Sequence, residues 1–300
     1  MSAGMVRGVV LVGILGMAGY GLYYAEKRHE TGHVAVAAEA AGGTAAPEKH
    51  QPSEAASGAA AVAPSSAAKS STKEAVQPAD AGIALRSGET LEFRANVSQL
   101  NNVANLRVQV VERRNFLGKS VWHLQAAAHT ENPLRFVFAL DDQFDSYSDA
   151  ASLNSLQYEL HLNERGQKVD SVQRLTASGG IPAAAGTVEA HVLPGTRDPL
   201  GMMQFLRTVD WSRTPEVQCP VYDGHKLYDV RAKLDGAQSV TVPAGTYEAS
   251  KIAIRVLDNG VEMKDASFAL YLAKNQARTP VLLEAVLPFA SARVELNKIH

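Results

Sequence analysis

The chain has 300 residues, 29 Lys and Arg against 31 Asp and Glu, and a single cysteine. Such balance argues against a nucleic-acid footprint, which needs a basic face, and one thiol excludes an intrachain disulfide. From Ala25 to Glu92 there is no Phe, Tyr or Trp, so that part cannot build a core, and the packed portion is expected to be one β-rich domain over residues 83–300.

Residues 1–30 read as a signal anchor. Val9 to Ala25 carries no charge, is preceded by Arg7 and is followed by Glu26-Lys27-Arg28. As a helix it reaches about 25 Å, slightly short of the roughly 30 Å hydrocarbon core but within the range of observed spans. A cleaved signal peptide is the competing reading. The nearest small-x-small site, Ala38-Glu39-Ala40, lies well past the apolar end, which favours an uncleaved, single-pass anchor. Lys27 and Arg28 offset Arg7 under the positive-inside rule, yet the short leading tail points to an N-in, C-out topology with an exported domain. The single cysteine, Cys219, lies far beyond the apolar run, so lipid attachment at a processed N-terminal cysteine is excluded.

Residues 31–82 are Ala, Pro, Ser and Gly with scattered charge, and Pro47, Pro52, Pro64 and Pro78 interrupt any helix. No apolar periodicity offers a face to pack, so the segment is expected to be a disordered tether spanning on the order of 40 Å.

From Ile83 onward period-two alternation dominates. Leu91, Phe93, Ala95 and Val97 share one strand face, then Leu106, Val108 and Val110, then Trp122, Leu124, Ala126 and Ala128. Leu134, Phe136, Phe138 and Leu140 are expected to form the next strand, and Leu156, Tyr158, Leu160 and Leu162 the one after. Residues 178–186 read as a loop and Val188-Ala190-Val192 as a strand. Asp198-Pro199 is a helix start, and Met202, Phe205, Leu206 and Val209 then fall on one stripe of about three turns. Val217-Cys219-Val221, a turn at Asp223-Gly224, Tyr228 to Leu234, a turn at Asp235-Gly236, Val240-Val242, Pro243-Ala244-Gly245 and Ile252-Ile254-Val256 follow as strands and hairpin turns. Phe268-Leu270-Leu272, Val281 to Leu287 and Ala292-Val294-Leu296 complete the sheet. Half-polar strands of this kind belong to antiparallel sheets. The fold expected is mainly β: a curved or incomplete antiparallel barrel with one short helix as plug or lid.

Leu85-Arg86-Ser87-Gly88-Glu89-Thr90-Leu91-Glu92-Phe93 resembles the opening strand of the exported bacterial family known as domain of unknown function 3108. The resemblance continues through Asp145-Ser146-Tyr147-Ser148-Asp149, Asp198-Pro199-Leu200 with Leu206-Arg207, and Tyr222-Asp223-Gly224-His225-Lys226-Leu227-Tyr228. Val242-Pro243-Ala244-Gly245-Thr246-Tyr247 with Lys251, Leu270-Tyr271-Leu272-Ala273 and Arg278-Thr279-Pro280-Val281 extend it over nearly all of 83–300. It implies an incomplete β-barrel in the Gram-negative envelope, with the anchor in the inner membrane and the domain in the periplasm, and it brings no activity or catalytic residue. The long tether and the loop around Gly179 to Gly186 depart from the family pattern.

Catalytic and metal templates fail: there is no H-E-x-x-H, no C-x-x-C, no G-x-S-x-G and no phosphate-cradling glycine loop. His123 and His161 fall on the polar sides of their strands and read as solvated. Asp141, Asp142, Asp145 and Asp149 lack the glycine turn and terminal glutamate of a calcium loop and read as a solvated strand edge. Ser152 finds no histidine at nucleophile spacing, and Cys219 between two valines reads as a small buried side chain. No catalytic residue, metal ligand or cofactor is therefore expected. What remains is an apolar concavity with sparse aromatics. Phe136, Phe138, Tyr158 and Leu160 are expected inside it, with Met202, Met203, Phe205 and Leu206 over its mouth. A non-enzymatic envelope protein holding a lipid-like ligand or envelope component is the expected function. The alternatives are an assembly module for a periplasmic protein partner without a small ligand and, last, an enzyme acting on envelope polymers.

Overall fold

The computed structural model describes residues 85–177, 186–288 and 290–300. The expected anchor, the tether and most of the 178–186 loop lie outside them. Among the described residues no helix is long and apolar enough to cross a membrane.

In chain order the elements are β1 (Thr90–Val97), β2 (Leu100–Phe116), β3 (Lys119–Thr130), α1 (Leu134–Val137), β4 (Asp141–Asp149), β5 (Ser155–Glu164), β6 (Gln167–Thr176) and β7 (Val188–His191). Then come α2 (Pro199–Thr208), β8 (Glu216–Tyr222), β9 (Leu227–Val242), β10 (Gly245–Asp258), β11 (Val261–Glu262), β12 (Ser267–Ala273), β13 (Pro280–Leu287) and β14 (Ala290–Ile299). All fourteen strands belong to one open sheet. From β1 to β6 each strand pairs antiparallel with the next, and β7 adds in parallel to β6. The second half is a meander from β8 to β14 with β11 as a spur on β10. The halves join where β1 meets β14 antiparallel, Leu91 opposite Ile299 and Val97 opposite Ala292. The first and last strands thus lie in the middle of the sheet, and α2 is the link between the two halves.

Hydrogen bonds between distant strands show that the sheet curls. Ala244 N–H in the β9–β10 turn donates to Leu296 O on β14 at 3.0 Å. Gln173 Nε2 on β6 donates to Gly224 O in the β8–β9 turn at 2.8 Å. At Arg197, just before α2, one parallel bridge is made to Val221 on β8, so the far edge is brought round to the first half. Gly224 is required there: its φ is +101°, and a Cβ would come within 2.9 Å of Leu160 Cδ2. The alternation places Phe93, Ala95, Val97, Leu106, Leu124 and Ala126 in a single continuous core with the inner faces of β9 to β14.

Two expectations fail locally. The strand expected over Leu134–Leu140 is a single helical turn, closed by Arg135 N–H to Glu131 O and Phe138 N–H to Leu134 O, both 2.8 Å. Pro133 has no N–H to give a ladder, and Arg135 pairs with Asp141 (2.7 Å) beyond the turn. The alternation across Leu134 and Phe136 is therefore accidental. The turn expected at Asp235-Gly236 is a bulge inside the continuous β9: Leu234 opposes Ile252, Ala237 opposes Ser250, and Gly236 takes φ +109°. An Asp-Gly pair supplies the positive φ that a bulge or a turn needs, and the local sequence does not separate the two.

Candidate functional site

Helix α2 organises the interior. Asp198 adopts extended backbone and its Oδ1 accepts the Gly201 N–H at 2.8 Å, while Pro199 occupies the first turn. Gly201 is fixed by close approach, since a Cβ would lie 2.9 Å from Ser148 Oγ, 3.0 Å from Ser155 Oγ and 3.2 Å from Leu153 O. At the other end Arg207, 1% exposed, donates to both carboxylate oxygens of Glu89 at 2.8 Å, to Gln204 Oε1 at 2.7 Å and to Ala277 O. Arg278 Nη1 donates to Arg207 O at 3.1 Å. Eight of the ten helical residues are buried, so α2 is a plug inside the curl rather than an amphipathic lid.

Between α2 and the sheet lies a cavity of about 70 Å³. From the helix Pro199, Leu200, Met202, Met203 and Leu206 face it. Phe93, Leu106 and Val108 of β1 and β2 close one side. Ile254 of β10, Phe268 and Leu270 of β12, Leu282 and Leu283 of β13, and Val294 of β14 close the other. Half-buried Met203, Ile254 and Leu283 form the rim. No side chain of this lining carries a polar hydrogen-bonding group, so the space suits hydrocarbon and offers no acid, base or nucleophile.

Of the residues expected around a groove, Met202, Met203 and Leu206 meet at this cavity. Phe205 is buried on the helix under the Arg197 guanidinium, 3.7 Å from its ring centroid. Phe138, Tyr158 and Leu160 are buried in the core away from the lining. Phe136, expected inside, is 83% exposed on α1, because the helical turn directs it outward. Phe93, Leu106, Phe268, Leu270 and Val294 were legible as inner-face positions, but periodicity alone does not say which inner-face residues border a space. Arg207 was missed as well. Its signal is a permanent charge in a helix whose other residues are uncharged and mostly apolar.

A polar cluster lies at the other end of α2. Tyr158, Asp198 and Asp223 are fully buried. Burial raises the Asp198 carboxyl above its usual range despite the helix N–H groups aimed at it. Asp223 accepts the His225 and Lys226 N–H groups at 2.8 and 2.7 Å, and burial raises it too. Burial, together with these two carboxylates, pushes the Tyr158 phenol well above its ordinary value. On the outer face the acidic run proves less solvated than expected. Asp145, 4% exposed, accepts from His123 Nε2 (2.7 Å), Gln125 (2.9 Å) and Gln143 (2.7 Å). Burial alone would raise its carboxyl, but these bonds outweigh burial and hold it below the usual value. His123 also stacks on Tyr147 at 4.8 Å. Ser152 donates to Asp149, and Cys219 is buried with Sγ 3.2 Å from Met202 Sδ, its thiol raised by burial. Among the described residues no three His, Cys, Asp or Glu side chains are grouped to hold a metal.

A family model described as a protein of unknown function, DUF3108, matches residues 92–297. The comparison with curated proteins gives no match. Among solved structures the chain is similar to a β-barrel-like protein of the domain of unknown function DUF1849 from Brucella abortus, with TM-score 0.46, 11% identity, and coverage of 72% of this chain and 98% of that one. It is also similar to a candidate lipoprotein from Parabacteroides distasonis (TM-score 0.33, 14% identity, 72% and 96% covered). A candidate exported protein with a YmcC-like fold from Bacteroides fragilis is a third (TM-score 0.28, 10% identity, 72% and 96% covered).

Proposed function

For a chain that belongs to the DUF3108 family of proteins of unknown function, we propose a non-enzymatic binding role in the cell envelope. The β domain takes an apolar group, such as the end of an acyl chain, into the cavity beside α2. That every side chain lining this cavity is apolar is the observation that carries this reading. Its volume, about 70 Å³, is roughly half that of an engineered cavity that takes up benzene. It therefore suits a chain terminus as it stands, and a longer chain enters if the flexible Met203 swings from the rim. The apolar run Val9 to Ala25 and the Pro-interrupted segment behind it support a tethered, periplasmic placement.

The test is organic extraction and mass spectrometry of the full chain purified from membranes into amphipol, beside a Met203→Trp variant that fills the cavity. A discrete lipid retained by the parent and lost from the variant is expected. The same lipid in equal yield from both refutes the cavity as its site. A second reading, an assembly module for a periplasmic protein, is favoured by the adjacent Phe136 and Val137, 83% and 72% exposed. A photo-crosslinking residue at 136 that captures no protein in envelope extracts removes it.

A further inference from the structure

A second cavity lies at the end of the sheet where the β2–β3 hairpin tip, the start of β5, the end of β6 and the loop after β7 converge, and it holds about 170 Å³. Its walls are amphipathic. Leu117, Leu156, Leu175 and Leu193 supply hydrocarbon, while Arg174 and Lys119 supply two cations. Among the described residues that line it there is no carboxylate.

Arg174 is 5% exposed. Its Nη2 donates to Gln157 Oε1 at 2.7 Å, while Glu159, bonded to the Gln157 amide, acts on the guanidinium through its charge without a direct hydrogen bond. Phe116 at the hairpin tip lies under the guanidinium, 5.1 Å from ring centroid to its carbon, and is itself stacked on Tyr147 at 4.5 Å, which holds the group in place. Nε and Nη1 are buried without a hydrogen-bond partner among the described residues. Leaving two donors of a permanent cation unmet is costly, and the pairing that answers it best is a charge-assisted bond to an anionic oxygen. The half-buried Asn154 also lines this space with its buried Oδ1 unpartnered, and rotating the amide presents its N–H₂ there instead.

We propose that this cavity is an anion-binding site for a carboxylate or phosphate carried on a short apolar body. The oxygen anion meets Arg174 with Lys119 adding charge at the entrance, and the hydrocarbon lies along Leu117, Leu156 and Leu193. The site is separate from the cavity beside α2 and does not depend on it.

Calorimetric titration of the full chain with hexanoate, hexyl phosphate, hexanol and inorganic phosphate tests this. Saturable binding of hexanoate or hexyl phosphate is expected, and the tighter of the two identifies the head group. Arg174→Gln should weaken it by about tenfold or more, and hexanol should not respond to that substitution. Arg174 is buried, so folding of the variant is checked by circular dichroism. If it does not fold, Leu193→Glu carries the test: Leu193 is 57% exposed and lines the cavity, so a new negative charge there should abolish anion binding in a folded protein. Unchanged affinity in a folded variant, or no binding of either amphiphile, overturns the proposal. Inorganic phosphate binding as tightly as hexyl phosphate overturns the apolar half of it.

Discussion

Replacing Arg207 by Met should destabilise the domain by about 3–5 kcal/mol, the range for removing one partner of a buried ion pair. The guanidinium gives two bonds of 2.8 Å to Glu89, one of 2.7 Å to Gln204, and shares Ala277 O between Nε at 3.2 Å and Nη2 at 3.0 Å. Methionine retains much of the apolar stem, so the loss falls on these polar bonds. Glu89, whose side chain is 14% exposed, recovers water only in part. For a domain of this size each kcal/mol shifts the melting temperature by roughly 2–4 °C, so a fall of about 6–20 °C is expected. Thermal and urea unfolding of the parent, Arg207→Met, Glu89→Leu and the double variant measures it. The double variant should lie closer to the parent than the two single losses added together, by about 1–3 kcal/mol. Arg207→Met melting within about 3 °C of the parent, or strictly additive losses, would refute the pairing as the hold on α2.

Gly201→Ala should destabilise by about 1–3 kcal/mol in urea unfolding although alanine favours helix, because the added methyl meets Ser148 and Ser155 at about contact-breaking distance; a gain in stability contradicts the close approach. Asp198 has a folded pKa raised by burial, so its contribution is fully present below the unfolded value of about 3.9 and is lost as pH rises through the folded pKa. Asn keeps the cap without ionising, so the stability of Asp198→Asn relative to the parent, followed over an assay range from about pH 4 to about pH 8, should climb as pH rises above the unfolded value. Equal differences in urea midpoint at both ends of that range exclude it. Phe136→Ser should leave stability within about 0.5 kcal/mol of the parent, as measured by thermal melting, whereas a core phenylalanine would cost several times more.

Most of the sheet was legible in the sequence because a half-wet strand writes its geometry as strict alternation, as in Thr90–Val97 and Ser155–Glu164. The helix was legible for a different reason: Asp198-Pro199 marks a beginning that few other structures share. Local signals failed where one pattern serves two backbones. Asp235-Gly236 fits a bulge as well as a hairpin, and Leu134 with Phe136 alternates across a helical turn. The site was legible only in part. Met202 and Leu206 were predicted at the concavity because they share a stripe. Phe93, Val294 and Phe268 join them across some two hundred residues of sequence, and only the strand order brings them together. Arg174 carries no sequence signal beyond being a basic residue on a strand, since its neighbours arrive from a hairpin tip and a later loop.

The pairing of β1 with β14 also sets a clock. Leu91 waits for Ile299 before the middle of the sheet can close, and contacts so distant along the chain are slow to form. During synthesis the first six strands can zip as local hairpins, but β1 keeps a bare edge until the last strand emerges. A chain held unfolded until all of it has been delivered loses little by this, whereas one released early presents two unpaired edges at its centre. Removing Ala290–Ile299 would strand both β1 and β13 in that condition, and the outcome expected is self-association edge to edge rather than a smaller folded domain.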